Sequence, residues 1–231
     1  WFFSMLVGIT GALGNGFLVS ALQKGELSVL GPINSYKPVV GLLGGILLLG
    51  EIPHFGGIFG IGLVIWGSYY VLDTTDERFT VALLKRADIR YRLLAMVFTA
   101  IEAVFLKRVI EVSSPTIAFF IWCWSGALFA LILLFAYRLN MRKELLRTGW
   151  KEAGTYTMLI LSIGTMQFST NFVFKHMAVG YALSLFQLSV LLSVFFGHRI
   201  FREEDIRRKM VGSAIMIAGA VLIILLSGNG S

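Results

Sequence analysis

The chain has 231 residues, of which 57% are hydrophobic and only 14% charged, with a mean hydropathy of +0.80. A soluble domain carries about 25% charged residues, so the composition excludes a disordered chain, a nucleic-acid module and an ordinary soluble enzyme. The formal net charge of +7 then reads as the Lys/Arg excess of cytoplasmic loops, not as a nucleic-acid footprint.

Apolar runs fall, in chain order, at about residues 1–22, 26–49, 53–72, 92–110, 116–137, 153–175, 180–198 and 210–227. A membrane-spanning helix needs roughly 20 apolar residues to cross about 30 Å of hydrocarbon. β-barrel strands would be shorter and would alternate polar with apolar side chains, and these runs do not. The chain is therefore read as an all-α polytopic membrane protein with eight visible spans, its partner the lipid bilayer. It opens on Trp1, not Met, and directly on an apolar run, which points to residues missing before it. No cleavable signal pattern is visible.

The first span carries Asn15 and is small-sided, with Gly8, Gly11, Gly14 and Gly16. The second contains Pro32 and Pro38, which remove backbone donors and bend the helix. Pro53 and Pro115 sit at span starts, where a proline costs little. Sixteen of the twenty Lys and Arg residues fall in alternate loops, the first with Lys24, the others running from Arg78 to Arg92, Arg138 to Lys151 and Arg199 to Lys209. The opposite loops hold three, Lys107, Arg108 and Lys175, and Lys37 lies inside a span. This bias makes the first set cytoplasmic and places both ends of the chain outside. The single cysteine, Cys123, forms no internal disulfide.

An internal repeat is legible in the spacing. Gly60 and Gly67 follow Glu51 at nine and sixteen residues, and Gly212 and Gly219 follow Glu203 at the same intervals, an offset of 152 residues. Upstream, Gly25 and Gly180 open the preceding spans with a three-residue slip, and Asn15 and Asn171 mark the spans before those. Three spans of the first half thus match the last three of the second. A complete ancestor would have five plus five. Two copies with an odd number of spans have opposite orientations, an arrangement typical of secondary transporters, whose solute site lies near the midplane between the repeats.

On these residues the chain resembles the drug/metabolite transporter superfamily, in particular its EamA-like branch. The resemblance rests on Leu47-Leu48-Leu49-Gly50-Glu51 with Pro38 thirteen residues before the Glu, and on Gly60 and Gly67 in the next helix. It extends to the stretch Ala95 to Arg108 ending in Lys107-Arg108, and to Ser114-Pro115 opening the helix after it. Arg202-Glu203 stands where the second copy usually has Gly-Glu, and Trp122-Cys123-Trp124 replaces a basic residue common early in that helix. The resemblance implies a ten-helix carrier of small metabolites built from inverted five-helix repeats. It divides the chain into the last three helices of a first repeat (1–72), an inter-repeat loop (73–91) and a second repeat (92–231). It also implies cytoplasmic termini, opposite to the loop charges.

Lys37 is the sharpest candidate for chemistry. A charge at the bilayer centre costs roughly 2.5–3.5 kcal/mol on insertion scales, so it faces a partner or a water-filled cavity. Two prolines six residues apart suit an irregular helix lining such a cavity. Lys37 then binds an anionic group of the solute or pairs with an acid, and Glu102, equally deep in its span, is the natural partner. Glu102 is either a proton-coupling carboxylate or half of a fixed ion pair. Asn34 lies about one turn from Lys37, and Ser35 and Tyr36 stand between them. Gln187, Gln167 and Asn171 lie deep in two other spans. Their amides donate and accept, which suits a polar solute, and interhelical hydrogen bonding is the competing role. Trp122, inside its span, stacks on a solute ring or simply packs. Glu51 reads as a cap near a helix N-terminus more than as a gate.

No Walker loop is present, so no ATP drive, and no His or Cys cluster with metal-ligand spacing occurs, so no cofactor is expected. The reading is a non-enzymatic permease of the inner, cytoplasmic membrane of a bacterium. It moves small polar metabolites by alternating access, with proton coupling and a homodimer both open. A non-transporting assembly or structural subunit is the alternative.

Overall fold

The computed structural model describes residues 1–23, 33–72, 86–136, 149–189, 192 and 206–227. Among them are eight helices and no strand. These are α1 (Phe2–Leu22), α2 (Lys37–Gly44), α3 (Phe55–Leu72), α4 (Ala87–Val112), α5 (Pro115–Ala136), α6 (Trp150–His176), α7 (Val179–Phe186) and α8 (Ile206–Ser227). Each falls on one of the eight apolar runs. α1, α5 and α6 are long and apolar enough to cross a membrane, and shorter apolar helices cover Lys37–Leu49, Phe55–Tyr70 and Met210–Ile223. The protein is an all-α polytopic integral membrane protein. Several loop cations of the orientation argument lie outside the described residues, among them Lys24, Arg78, Arg138, Arg199 and Arg202. So do Gly25, Pro32 and Glu203.

Three elements depart from the apolar runs. α4 begins at Ala87, before the run does, because its first turn is built on charge. Arg86 donates to both oxygens of Asp88 at 3.2 and 2.9 Å. These bonds hold the Asp88 carboxyl below the usual carboxylate range, and an acid in the first turn also complements the helix dipole. The second run is broken: residues 33 and 34 are helical, Ser35 and Tyr36 turn, and α2 restarts at Lys37. Pro38 thus stands in the first turn of α2, where its missing N–H costs little, not in a helix interior. α7 is also short, ending at Phe186 with a turn at Gln187 and Leu188.

α2 runs on as a π turn, Gly45–Leu49, closed by Gly50 in the left-handed region at φ 69°. A side chain there would be strained, which is why glycine precedes Glu51. Glu51 lies in the connection between the π turn and α3. Its carboxylate accepts the Val179 N–H at 3.0 and 3.3 Å, capping α7, whose own N-cap residue Ala178 supplies no side-chain bond. The cap expected of Glu51 is present, on a helix 128 residues away.

The contacts sort the chain into two compact units, Trp1–Ala12 with Phe105–His176, and Leu13–Val104 with Met177–Ser231. Each draws on both halves of the sequence, so packing units and sequence repeats are different divisions.

In the first unit Gly8 brings α1 against α5, since a methyl group there would lie 2.6 Å from Ser125 Cβ and 2.7 Å from the Phe129 ring. Phe119 meets Phe168 edge-on at 5.5 Å, and Phe168 meets Phe172 at 5.1 Å. α5 and α6 expose Trp124, Leu128, Phe135, Ile160 and Met166. So much uncovered apolar surface is foreign to a soluble monomer and suits helices bathed in lipid.

In the second unit α3 and α8 cross closely. A methyl group on Gly60 would lie 2.9 Å from the Gly219 carbonyl oxygen, and one on Gly67 2.7 Å from the Gly212 carbonyl oxygen. Gly60 and Gly212, and Gly67 and Gly219, are the pairs separated by 152 residues. The offset therefore turns each contact into the other. Ascending order on α3 meets descending order on α8, so the helices cross antiparallel and the crossing is its own image under the repeat. Lipid supplies little hydrophobic drive between helices, and close approach through small residues does the work instead. Ile61, Val64, Tyr181, Met216 and Ile223 pack around this crossing. α2 and α7 meet similarly: a methyl group on Gly180 would lie 3.0 Å from Leu42 Cα, and Gly41 makes room for Leu183.

Candidate functional site

The two short helices, α2 and α7, owe their length to breaks at Ser35–Tyr36 and Gln187–Leu188. These turns are themselves 152 residues apart, so the repeat relates them too. They also touch. Gln187 Nε2 donates to the Asn34 carbonyl oxygen at 3.1 Å. A broken helix leaves backbone carbonyls unpaired, and in a membrane these need a partner from protein or cavity water. Gln187 supplies one, and it is buried.

Lys37, half-buried, is the first residue of the restarted helix. Glu102 and Arg92, both half-buried on α4, act on it electrostatically. Tyr36 is 46% exposed beside it, whereas Ser35 is fully buried. The second unit thus gathers Lys37, Tyr36, Asn34, Gln187 and Glu102 at one polar junction.

Gln167, Asn171 and Trp122 belong to the first unit. There Gln167 Nε2 donates to Asn171 Oδ1 at 3.1 Å, and Asn171 Nδ2 donates to the Pro115 carbonyl oxygen at 3.1 Å. Both ends of the buried Asn171 amide are thus engaged, tying α6 to the start of α5. Trp122 stacks on Phe119 with ring centroids 6.4 Å apart.

Two further residues lie at this junction without a sequence signal of their own, Arg92 and Ser35. Arg92 falls among the loop cations if its span begins at 92, but the helix starts at Ala87 and carries Arg92 in its second turn. By sequence Ser35 is no more than a neighbour of Lys37. The usable signal was its distance of 152 residues from Gln187.

Residues 89–225 match the EamA-like transporter family. The chain belongs to the EamA-like transporter family. Its members are membrane transporters of the drug/metabolite superfamily, so the family is one of carriers and not of enzymes. A crystal structure of a protein 14% identical in sequence superposes with a TM-score of 0.69, over 99% of this chain and 88% of that one, a likeness in fold. No curated protein matches the sequence. In this EamA-like chain the Gly-Glu pair has a mechanical meaning: Gly50 makes the left-handed turn that releases Glu51 to cap α7.

Proposed function

We propose that this EamA-like protein is a secondary transporter that moves small polar metabolites across a bacterial cytoplasmic membrane by alternating access. Its solute site is the junction of Lys37, Tyr36, Asn34 and Gln187. One observation carries this reading: two helix breaks related by the repeat meet at a hydrogen bond beside a lysine. Discontinuous helices at corresponding positions of inverted repeats are where secondary transporters hold their solutes. A subunit with a purely structural role has no use for such breaks, which forfeit helix hydrogen bonds in a medium that offers none in return. Glu102 is the coupling carboxylate in this scheme, since it is the acid that acts on Lys37. Gln167, Asn171 and Trp122 are assigned to packing of the first unit, because the partners of the two amides lie within it.

The test is counterflow in proteoliposomes holding the purified full chain, loaded in turn with pooled amino acids, organic acids, sugars and nucleosides. The parent accumulates a labelled member of one pool against its unlabelled excess, and Lys37→Met does not. Folded protein that accumulates no member of any pool would count against the transporter reading.

A further inference from the structure

The seam between α2 and α7 runs from the solute junction to the far ends of both helices. At the junction Gln187 bonds the Asn34 carbonyl. Leu183 then sits on Gly41 and Gly180 on Leu42, and at the far end the Glu51 carboxylate takes the Val179 N–H at 3.0 Å. Ascending positions on α2 meet descending positions on α7, so the two helices are antiparallel and touch along their length. The eight residues of α7 cover about 12 Å at 1.5 Å per residue, most of one half of a hydrocarbon core of about 30 Å. Over that distance the two helices are shut against each other.

The bond at the far end comes from outside the helix it caps. Helix starts are ordinarily capped from within, by Ser, Thr, Asp or Asn at the N-cap. α7 has Ala178 there, which makes no side-chain bond. Its cap belongs to the residue that follows the π turn of α2 and Gly50, so it holds while the two helix ends are together and is lost when they part. A carboxylate makes this bond charge-assisted, the stronger kind, and it also complements the helix dipole. Gly45 leaves room for it, since a methyl group there would strike the carboxylate. The α3–α8 crossing is built differently. There main chain meets main chain at Gly60 with Gly219 and at Gly67 with Gly212, whereas the α2–α7 seam seats side chains on glycines and is fastened at its end.

We propose that the α2–α7 seam is the gate on one face of the membrane and that Glu51 is its latch. The bond to Val179 is made in this state and broken each time the junction opens to that face. The inference rests on the transporter reading and adds its moving part. Glu51 is a positioning residue and does not touch the solute. A bond made in one of two states biases the balance between them by its own strength, so weakening it opens the gate more often.

The experiment has two arms, both on the full chain carrying Cys123→Ser. In the first, Gly41→Cys is paired with Leu183→Cys. A Cβ at position 41 lies 3.6 Å from Leu183 Cγ, within reach of a disulfide. Leu42→Cys with Gly180→Cys is a second pair on the same seam. Counterflow in proteoliposomes is lost on oxidation and returns on reduction. Equal counterflow by cross-linked and reduced protein overturns the gate and leaves the transporter, and failure of both pairs to cross-link overturns the seam. In the second arm, Tyr36→Cys is labelled with an impermeant thiol reagent from either face, and Ile52→Cys, 92% exposed, reports the face on which residue 51 lies. Glu51→Ala moves the labelling of Tyr36→Cys toward that face by about threefold or more, the weight of a lost helix cap. Glu51→Gln, which keeps an acceptor oxygen without the charge, moves it less. A cap with a structural role alone lowers the unfolding temperature and leaves the labelling balance where it was, and that result in both variants overturns the latch. This arm needs no solute, so it decides on the latch even if no pool gives counterflow, the result that counts against the transporter.

Discussion

Alanine at Gly60 or at Gly219 lowers the unfolding temperature of the purified protein, whereas alanine at Gly62 does not. The new methyl group at Gly60 would lie 2.9 Å from a backbone carbonyl and that at Gly219 2.7 Å, while nothing lies within 4 Å of the one at Gly62. Relief at the first two sites requires α3 and α8 to move apart, because the obstructing atom is main chain and has no rotamer to change. Overpacking of this kind costs typically 1–3 kcal/mol. At Gly62 the helix gains up to about 1 kcal/mol from the propensity difference alone. Since Gly60 and Gly219 touch the same crossing, the double variant costs less than the sum of the singles, as expected of residues in contact. Gly67→Ala belongs with the first group, its methyl group 2.7 Å from the Gly212 carbonyl oxygen. Indistinguishable behaviour of Gly60→Ala and Gly62→Ala in detergent unfolding would mean that the helices do not approach as described.

Lys37→Met and Glu102→Gln each destabilise the protein, and the double variant recovers much of the loss. Glu102 acts electrostatically on Lys37, so removing either charge leaves the other less compensated; for a fully buried ion pair this costs about 3–5 kcal/mol, while replacing both is often nearly neutral. The half-burial of both residues places the single losses toward the lower end of that range. A coupling of about 0.5–3 kcal/mol between the two changes is expected from the cycle. Transport separates from stability in the same set. The double variant folds yet accumulates no solute, because the cation that takes the solute is gone. Additive losses would show that Glu102 compensates Lys37 only weakly. Full transport by the double variant would remove Lys37 from the site.

Most of the helices were legible because membrane helices are written in hydropathy, a property summed over twenty residues. α1, α3, α5, α6 and α8 each fall on their apolar runs. What hydropathy cannot register is a turn that costs only two residues. The breaks in the second and seventh runs are invisible to it. The prolines pointed near the first, but the turn falls at Ser35–Tyr36, before Pro38, because proline is tolerated inside a first helical turn. The polar start of α4, built on Arg86 and Asp88, lies outside any apolar window for the opposite reason.

The repeat was legible as spacing, yet spacing does not say which copies meet. Gly60 and Gly212 correspond, but it is Gly60 and Gly219 that touch, since the helices cross antiparallel. Long-range partners were beyond reach altogether. Glu51 was readable as a cap, but its helix is set by the fold 128 residues downstream. At the site, Lys37 stood out because a buried charge is expensive wherever it occurs. Ser35 did not, since a serine in a helix ordinarily bonds its own backbone. Ser184 does so with the Gly180 carbonyl at 2.9 Å, whereas Ser35 Oγ has no such partner. Asn171 and Gln167 carry the same sequence signal as Gln187, and only the structure shows that the first two bond each other while Gln187 reaches the carbonyl at a helix break.

The central claim is that the junction at residues 34–37 opens alternately to the two sides of the membrane. Tyr36, 46% exposed, is the position from which to ask. Cys123 is the one cysteine in the chain, so Cys123→Ser gives a thiol-free background into which Tyr36→Cys is placed. A membrane-impermeant thiol reagent is then applied to right-side-out and to inside-out vesicles. Alternating access predicts labelling of Tyr36→Cys from both faces, with the balance between them shifted by the transported solute. Labelling from one face only, unchanged by any solute that the protein binds, would contradict it.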